Sequence, residues 1–324
     1  MQRVGAGPSD GTGGDWPPSA DIARLRQRAE WLAAIRRFFG ERHVLEVETP
    51  LLSQAAVTDI HIESLCERRT GRWLQTSPEY AMKRLLAAGA GDCYQITRAF
   101  RAGEQGRWHN PEFTLLEWYR LGFSAEQLME ELAALVGLFL GRAETDCKRY
   151  AQAFMEAGLP DPLVATQAQL IRAASDHPAA VPIPQGVSGD ALLDWLFSQV
   201  VVPALPARCF ITHYPASQAV LARLDEQDSR VAARFELFCN GVEVANGFDE
   251  LTDPVELRCR FKADQAARRR AGRAVPDIDE RLLAAMASGL PNCAGVAMGV
   301  DRLMALAAGE QSLAGVMAFP WDRA

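Results

Sequence analysis

The pair Asn240-Gly241 sits between two apolar, β-favouring runs, VAARFELFC and VEVANGFDEL, over residues 231–251. An Asn-Gly connection of this kind is the strongest short-range hairpin signal, because both residues accept the positive φ that a tight, correctly twisted turn demands. It sets two neighbouring antiparallel strands in the latter half of the chain. A doubly wound nucleotide fold alternates strands with helices, whereas here one strand follows another directly. The expected class is therefore α+β, an antiparallel β-sheet flanked by helices.

The remaining segments fit that class. A helix starts at Ser19 or Asp21, with Ile22, Leu25, Ala29, Leu32, Ile35 and Phe38 on one face. HVLEVETP (43–50) reads as a strand ended by Pro50, and 58–76 as strands joined by the basic turn RRTGR at 68–72. Pro78 suits the first turn of a helix reaching about Ala88. Residues 124–157 read as helical, with Leu128, Leu132, Leu135 and Leu138 on one side. Further helices are expected near 166–175, 190–201, 254–272 and 277–288, and strands at 208–215 and 294–300, the last meeting a helix at Asp301. The expected organisation is a disordered tail over 1–18 and one domain over 19–324, with a helical insertion at about 124–205.

Composition narrows the function classes. Hydrophobic residues make up 48%, ample for a core, and the net charge of -7 weighs against broad nucleic-acid binding. No apolar run is long enough to span a membrane, and the N-terminal residues carry no apolar signal-peptide core. Seven cysteines, at 66, 93, 147, 209, 239, 259 and 293, show no C-x-x-C spacing. An odd, unpatterned set suits reduced thiols in the cytoplasm.

Chemistry concentrates in four places. FRAGEQGRWHNPEF packs Arg101, Glu104, Arg107, His109, Asn110 and Glu112 into a loop between the strand-like runs CYQITRAF and EFTLLEWY. Guanidinium forks on rigid strands suit phosphate oxygens, although a salt-bridged surface hairpin would look similar. Thr76-Ser77-Pro78-Glu79 lies at a strand-to-helix junction, where Ser77 can act as N-cap and Pro78 as N1. In Glu243-Val-Ala-Asn-Gly-Phe-Asp-Glu250, a bulge at Asn246-Gly247 would turn both carboxylates to one face, as a Mg²⁺ site needs; a second tight turn with solvated acids is the alternative. Gly295-Val-Ala-Met-Gly299-Val-Asp-Arg302 offers close backbone approach and an arginine opening a helix. A fifth basic group, Arg268, Arg269, Arg270 and Arg273, reads as a solvated helix face or as a contact for an acidic partner.

Taken together, these motifs resemble those of the class II aminoacyl-tRNA synthetases, and of lysyl-tRNA synthetase in particular. HVLEVETP, FRAGEQGRWHNPEF and GVAMGVDRL resemble the three class motifs, while RWHNPEFTLLEWY and VANGFDELTDP resemble the lysine enzymes. The likeness covers about residues 20–324. Little more than the tail precedes the first helix, where a lysyl-tRNA synthetase carries an anticodon-binding domain. With HYPASQA at 213–219, the chain looks most like the elongation factor P β-lysine ligase family.

That resemblance implies an ATP- and Mg²⁺-dependent, AMP-forming ligase. It would activate β-lysine or lysine as an adenylate and pass it to a lysine of elongation factor P. It also implies a homodimer through 43–50, a cytoplasmic location and no stable tRNA binding. By position, Arg101 and Arg302 would be catalytic on the phosphates. Ala102, Gly103, Glu104, His109, Asn110, Phe113, Glu243, Val244 and Gly299 would complete the ATP site. Ser77, Pro78, Glu79, Glu117, Tyr119, Asn246, Glu250 and Ala297 would hold the amino acid, and Glu243 and Glu250 would share Mg²⁺. A truncated synthetase-like enzyme charging tRNA or another small acceptor is the alternative, and a non-catalytic regulatory paralogue a second.

Two departures bear on this. The second motif usually reads Arg-Asn-Glu, and here reads Arg101-Ala102-Gly103-Glu104, so either Glu104 swings in or the adenine contact differs. Ser77 and Ala297 replace the Ala and Gly of the tRNA-lysine enzymes. One methylene of misfit is worth about 1–3 kcal/mol, enough to separate α- from β-amino isomers.

Overall fold

The computed structural model of the chain describes residues 16–179 and 182–324; of the tail expected over 1–18, residues 1–15 lie outside the described residues. The first half runs α1 (Ile22–Gly40), β1 (Leu45–Glu46), β2 (Leu52–Ser53), β3 (Cys66–Glu67), β4 (Arg72–Leu74), α2 (Glu79–Ala87), β5 (Cys93–Phe100), β6 (Glu112–Leu121) and α3 (Ala125–Leu140). Then come β7 (Asp146–Arg149), α4 (Tyr150–Glu156), α5 (Gln167–Asp176), α6 (Asp190–Leu196) and β8 (Arg208–Pro215). The chain closes with β9 (Val231–Cys239), β10 (Val242–Asp249), α7 (Pro254–Arg270), α8 (Glu280–Ala287), β11 (Cys293–Gly299) and α9 (Val300–Ala307).

The hairpin forms as its sequence demands. Cys239 pairs with Val242, and Asn240 and Gly241 take φ of 50° and 74° between them. It sits inside an eight-stranded sheet of order β1-β5-β6-β11-β10-β9-β8-β7. The six inner strands are antiparallel, but β1 joins β5 and β7 joins β8 in parallel. The sheet is thus mixed rather than wholly antiparallel. A second sheet, β2-β4-β3, carries the basic turn expected at 68–72.

Strand alternation separates the two faces. Leu116, Trp118, Phe235, Leu237, Ala245, Val296 and Met298 point to one side and pack on Leu128, Leu132 and Leu135 of α3 and Leu303 and Met304 of α9. Each such fully buried side chain is worth about 1.5–3 kcal/mol against exposure. At one end of the opposite face, α2, α7 and α8 pack through Met82, Leu86, Leu257, Phe261, Leu283 and Met286. At the other end, α4, α5 and α6 cover Cys209, Ile211 and Phe238. The space left between the two groups is the site.

Three expectations shift. Residues 124–157 are not one helical run: Gly141 takes φ of 74°, the helix stops, and 146–149 pair with β8 at the sheet edge. Helix α3 belongs to the main core, whereas α4, α5 and α6 share a separate cluster. The basic cluster is not one solvated face, since Arg268 is only 2% exposed. Of the two candidate caps for α1, Asp21 does the work, accepting the Arg24 N–H at 2.7 Å.

Candidate active site

The strand register assembles the site floor. Tyr119, Gly295, Phe248 and Arg234 lie in one row across β6, β11, β10 and β9; Glu117, Ala297, Asn246 and Glu236 form the next. Leu115 and Gly299 begin a third. These rows floor a cavity of about 820 Å³, within the size range of nucleotide and ligand pockets.

The bulge expected at Asn246-Gly247 is elsewhere. Those two residues pair in register with Ala297 and Val296, and the shift lies between Glu243 and Ala245, at Val244. One extra residue there reverses the alternation, so that Glu243 and Val244 line the same cavity as Asn246 and Glu250. Gly295 is needed for close approach: a Cβ there would stand 2.3 Å from the Tyr119 ring and 2.4 Å from the Glu250 carboxylate.

One end of the cavity is a buried ionic cluster. Glu79 opens α2, and one turn later Lys83 bonds it at 2.7 Å and Glu250 at 2.6 Å. Lys83 and Glu250 are each 1% exposed at the side chain. Glu117 accepts hydrogen bonds of 2.6 Å from the Ser77 hydroxyl and the Tyr119 phenol. Ser77 also accepts the Glu79 N–H at 3.0 Å, so it caps α2 although Pro78, not Ser77, occupies the N-cap position. Burial, then repulsion from Glu79, pushes Glu117 up to about 7. Burial pushes Glu250 up to about 8, with Lys83 opposing and Glu79 adding to the rise. Burial works against the Lys83 ammonium, but Glu250 and Glu79 outweigh it and raise its pKa. Three carboxylates thus surround one ammonium, a buried deficit of positive charge.

The other end carries two arginines, each beside a carboxylate, with Arg302 3.7 Å from Glu243. The Arg101 guanidinium lies 5.1 Å from the Phe113 ring centroid and 3.7 Å from the Glu104 carboxylate. Its buried Nε has no hydrogen-bond partner, and the residue lines the cavity. Arg302 donates to the carbonyls of Trp108 (3.0 Å) and Glu243 (2.9 Å) and to His109 Nε2 (2.7 Å). Accepting that bond, His109 is neutral: burial, then Arg302, lowers its pKa. Asn110 donates to the Glu112 carbonyl and accepts the Trp321 N–H.

The cavity lining contains Ser77, Glu79, Arg101, Glu104, His109, Asn110, Phe113, Glu117, Tyr119, Glu243, Val244, Asn246, Glu250, Ala297, Gly299 and Arg302. Pro78, Ala102 and Gly103 are not in it. Gly103, at φ 77°, turns the chain so that Glu104 reaches the cavity instead. Among the described residues no three His, Cys, Asp or Glu side chains gather to hold a metal. Sequence reasoning passed over Lys83, whose i,i+4 spacing from Glu79 was its signal. It also passed over Arg234, which alternates with Glu236 on β9, stacks 4.4 Å from Tyr214 and bonds the Gln218 carbonyl.

The model of the tRNA synthetases class II (D, K and N) matches residues 19–323. The elongation factor P--(R)-beta-lysine ligase of Vibrio cholerae is 46% identical over 97% of this chain and 100% of its own length. The protein of the same name from Salmonella typhi is 48% identical over 95% of this chain and 98% of its own. No helix among the described residues is long and apolar enough to cross a membrane. Matched by that family model over nearly its whole length and by full-length relatives of one name, the chain belongs to the class II tRNA synthetase family (D, K and N), in its branch of elongation factor P--(R)-β-lysine ligases.

Proposed function

We propose that this protein activates (R)-β-lysine, or lysine, with ATP and joins it to a lysine side chain of elongation factor P. The observation that carries the reading is charge. Glu79, Glu117 and Glu250 gather around Lys83 at one end of the cavity, and Arg101 and Arg302 stand at the other. A buried excess of carboxylate asks for a cationic ligand, here a diamino acid, and the arginines ask for phosphate. The names of the full-length relatives support the acceptor.

The amino-acid carboxylate attacks the α-phosphorus; a carboxyl–phosphate bond forms and pyrophosphate leaves. Arg101 neutralises charge building on the α-phosphate, Arg302 holds the distal phosphates, and Phe113 stacks on adenine. Glu104 takes the adenine-side position that the altered second motif leaves open. Glu243 and Glu250 would hold Mg²⁺, which supplies charge neutralisation between phosphates. Glu79, Glu117, Glu250 and Tyr119 hold the amines of the substrate. The acceptor amine then attacks the activated carbonyl, forming an amide and releasing AMP. Pyrophosphate exchange with β-lysine and lysine, followed by transfer of labelled amino acid to elongation factor P, tests this. Efficient tRNA charging with no protein product would overturn it.

Binding of a diamino acid should strengthen as pH rises. In the folded protein Glu117 and Glu250 titrate near about 7 and about 8, above the ordinary 4.5. Protonated, they favour the folded state fully below the unfolded value, and that contribution drains away as pH climbs through the raised values. A dication binds the ionised forms. Its affinity should therefore rise by up to about tenfold per pH unit for each carboxyl that must ionise. Melting curves with and without lysine at about pH 6 and about pH 8.5 read this: the ligand-induced gain should be larger at the higher pH. A gain independent of pH would mean the cluster does not hold the amines.

A homodimer belongs to the same reading. Leu45, Leu51 and Leu52 are exposed at 52%, 41% and 38% beside the edge strand β1. Leu45→Asp is expected to convert dimer to monomer by light scattering; an unchanged mass would move the interface elsewhere.

A further inference from the structure

Residues 57–63 wall the cavity without joining a strand, and Val57, Thr58, Asp59, Ile60, His61 and Ile62 all line it. Backbone carbonyls in such a segment still need donors. One side chain serves three of them. From α7, Arg268 donates through Nε to the Thr58 carbonyl (2.9 Å) and through Nη2 to those of Asp59 (2.6 Å) and Ile62. Its Nη1 reaches the Ala274 carbonyl at 2.9 Å and the Glu63 carboxylate at 3.3 Å. Arg273 takes the Ile60 carbonyl, and Asp264, also on α7, accepts the Thr58 hydroxyl at 2.8 Å. At the far end of the segment the Glu63 carbonyl accepts the N–H of Ala102 at 2.8 Å, one residue from Arg101. Helix α7 therefore holds the wall, and the wall holds the turn that aims Arg101.

We infer that Arg268 is a positioning residue for the reaction, acting through the carbonyls of 57–63 on the cavity wall and on the Arg101 turn. The inference rests on the adenylation reading above. A planar fork with five donors can serve four carbonyls at once, and an ammonium with three cannot.

The test compares wild type, Arg268→Lys and Arg273→Ala in pyrophosphate exchange with lysine or β-lysine, normalised to active sites by the adenylate burst. Amide hydrogen exchange of 57–63 and Ala102 is followed in parallel. Arg268→Lys is expected to lower kcat per active site by on the order of tenfold to a hundredfold, as small misplacements of a reacting group do. It should also speed amide exchange in 57–63 and at Ala102, with a smaller change of the same sign for Arg273→Ala. If Arg268→Lys does not fold, Arg273→Ala and Thr58→Ala decide by the same two readouts. Faster amide exchange with unchanged kcat per site would overturn the inference, as would a loss explained wholly by fewer folded molecules. A wild type without exchange activity would sink the adenylation reading and the inference with it. An active wild type whose variants keep their kcat would sink the inference alone.

Discussion

Arg101→Ala is expected to lower kcat for adenylate formation by on the order of 10²–10³-fold, the usual loss when a preorganised donor to developing charge is removed. Arg101 is held for that task. Its N–H donates to the Pro111 carbonyl at 2.9 Å, its guanidinium lies over Phe113, and its buried Nε is left without a protein partner. A group arranged this way stabilises charge that appears during the reaction more than charge already present. The loss should therefore fall on kcat more than on the KM for ATP. Arg101→Lys keeps the charge but loses the fork, and should fall between. Pyrophosphate exchange checks the series. An alanine variant within about fivefold of wild type would remove Arg101 from the phosphate chemistry.

Lys83→Met should destabilise the empty enzyme by about 3–5 kcal/mol, because breaking a buried pair from one side leaves uncompensated charge. Here two carboxylates, Glu79 and Glu250, lose their shared ammonium. The loss is expected to depend on pH. Glu250 already titrates near about 8, and without Lys83 it would hold its proton more firmly. At low pH the variant escapes most of the penalty by staying protonated, whereas at high pH it cannot. Urea unfolding at about pH 6 and about pH 8.5 should thus give a larger deficit at the higher pH. A saturating diamino acid should recover part of it, since its amines replace the missing charge. A deficit that ignores both pH and ligand would show that the cluster is merely packed.

Much of this was legible where a local rule has few solutions. Asn240-Gly241 admitted one turn, and the strands around it followed. The four segments singled out for their chemistry all contribute side chains to one cavity. What escaped depended on long-range placement. The parallel joins of β1 and β7 are made with strands far along the chain or across a helix, and the short runs at 45–46 and 146–149 carry no mark of direction. The bulge was expected where glycine permits one, but packing put it at Val244 and left Gly247 under the Phe235 ring. Lys83 shows in the sequence only its i,i+4 spacing from Glu79, and Arg268 only its place in a basic cluster. Burial against distant acids and carbonyls gives them their roles.

Ser77 uses one oxygen twice, receiving the first N–H of α2 and giving its proton to Glu117. A hydroxyl has the capacity for both bonds at once, and few other side chains do. For a lineage drifting toward a different amino acid, position 77 is therefore not a free dial. Ala would release the carboxylate and uncap the helix in a single step, while Thr would keep both bonds and add bulk. A change of substrate made there also changes how the helix begins.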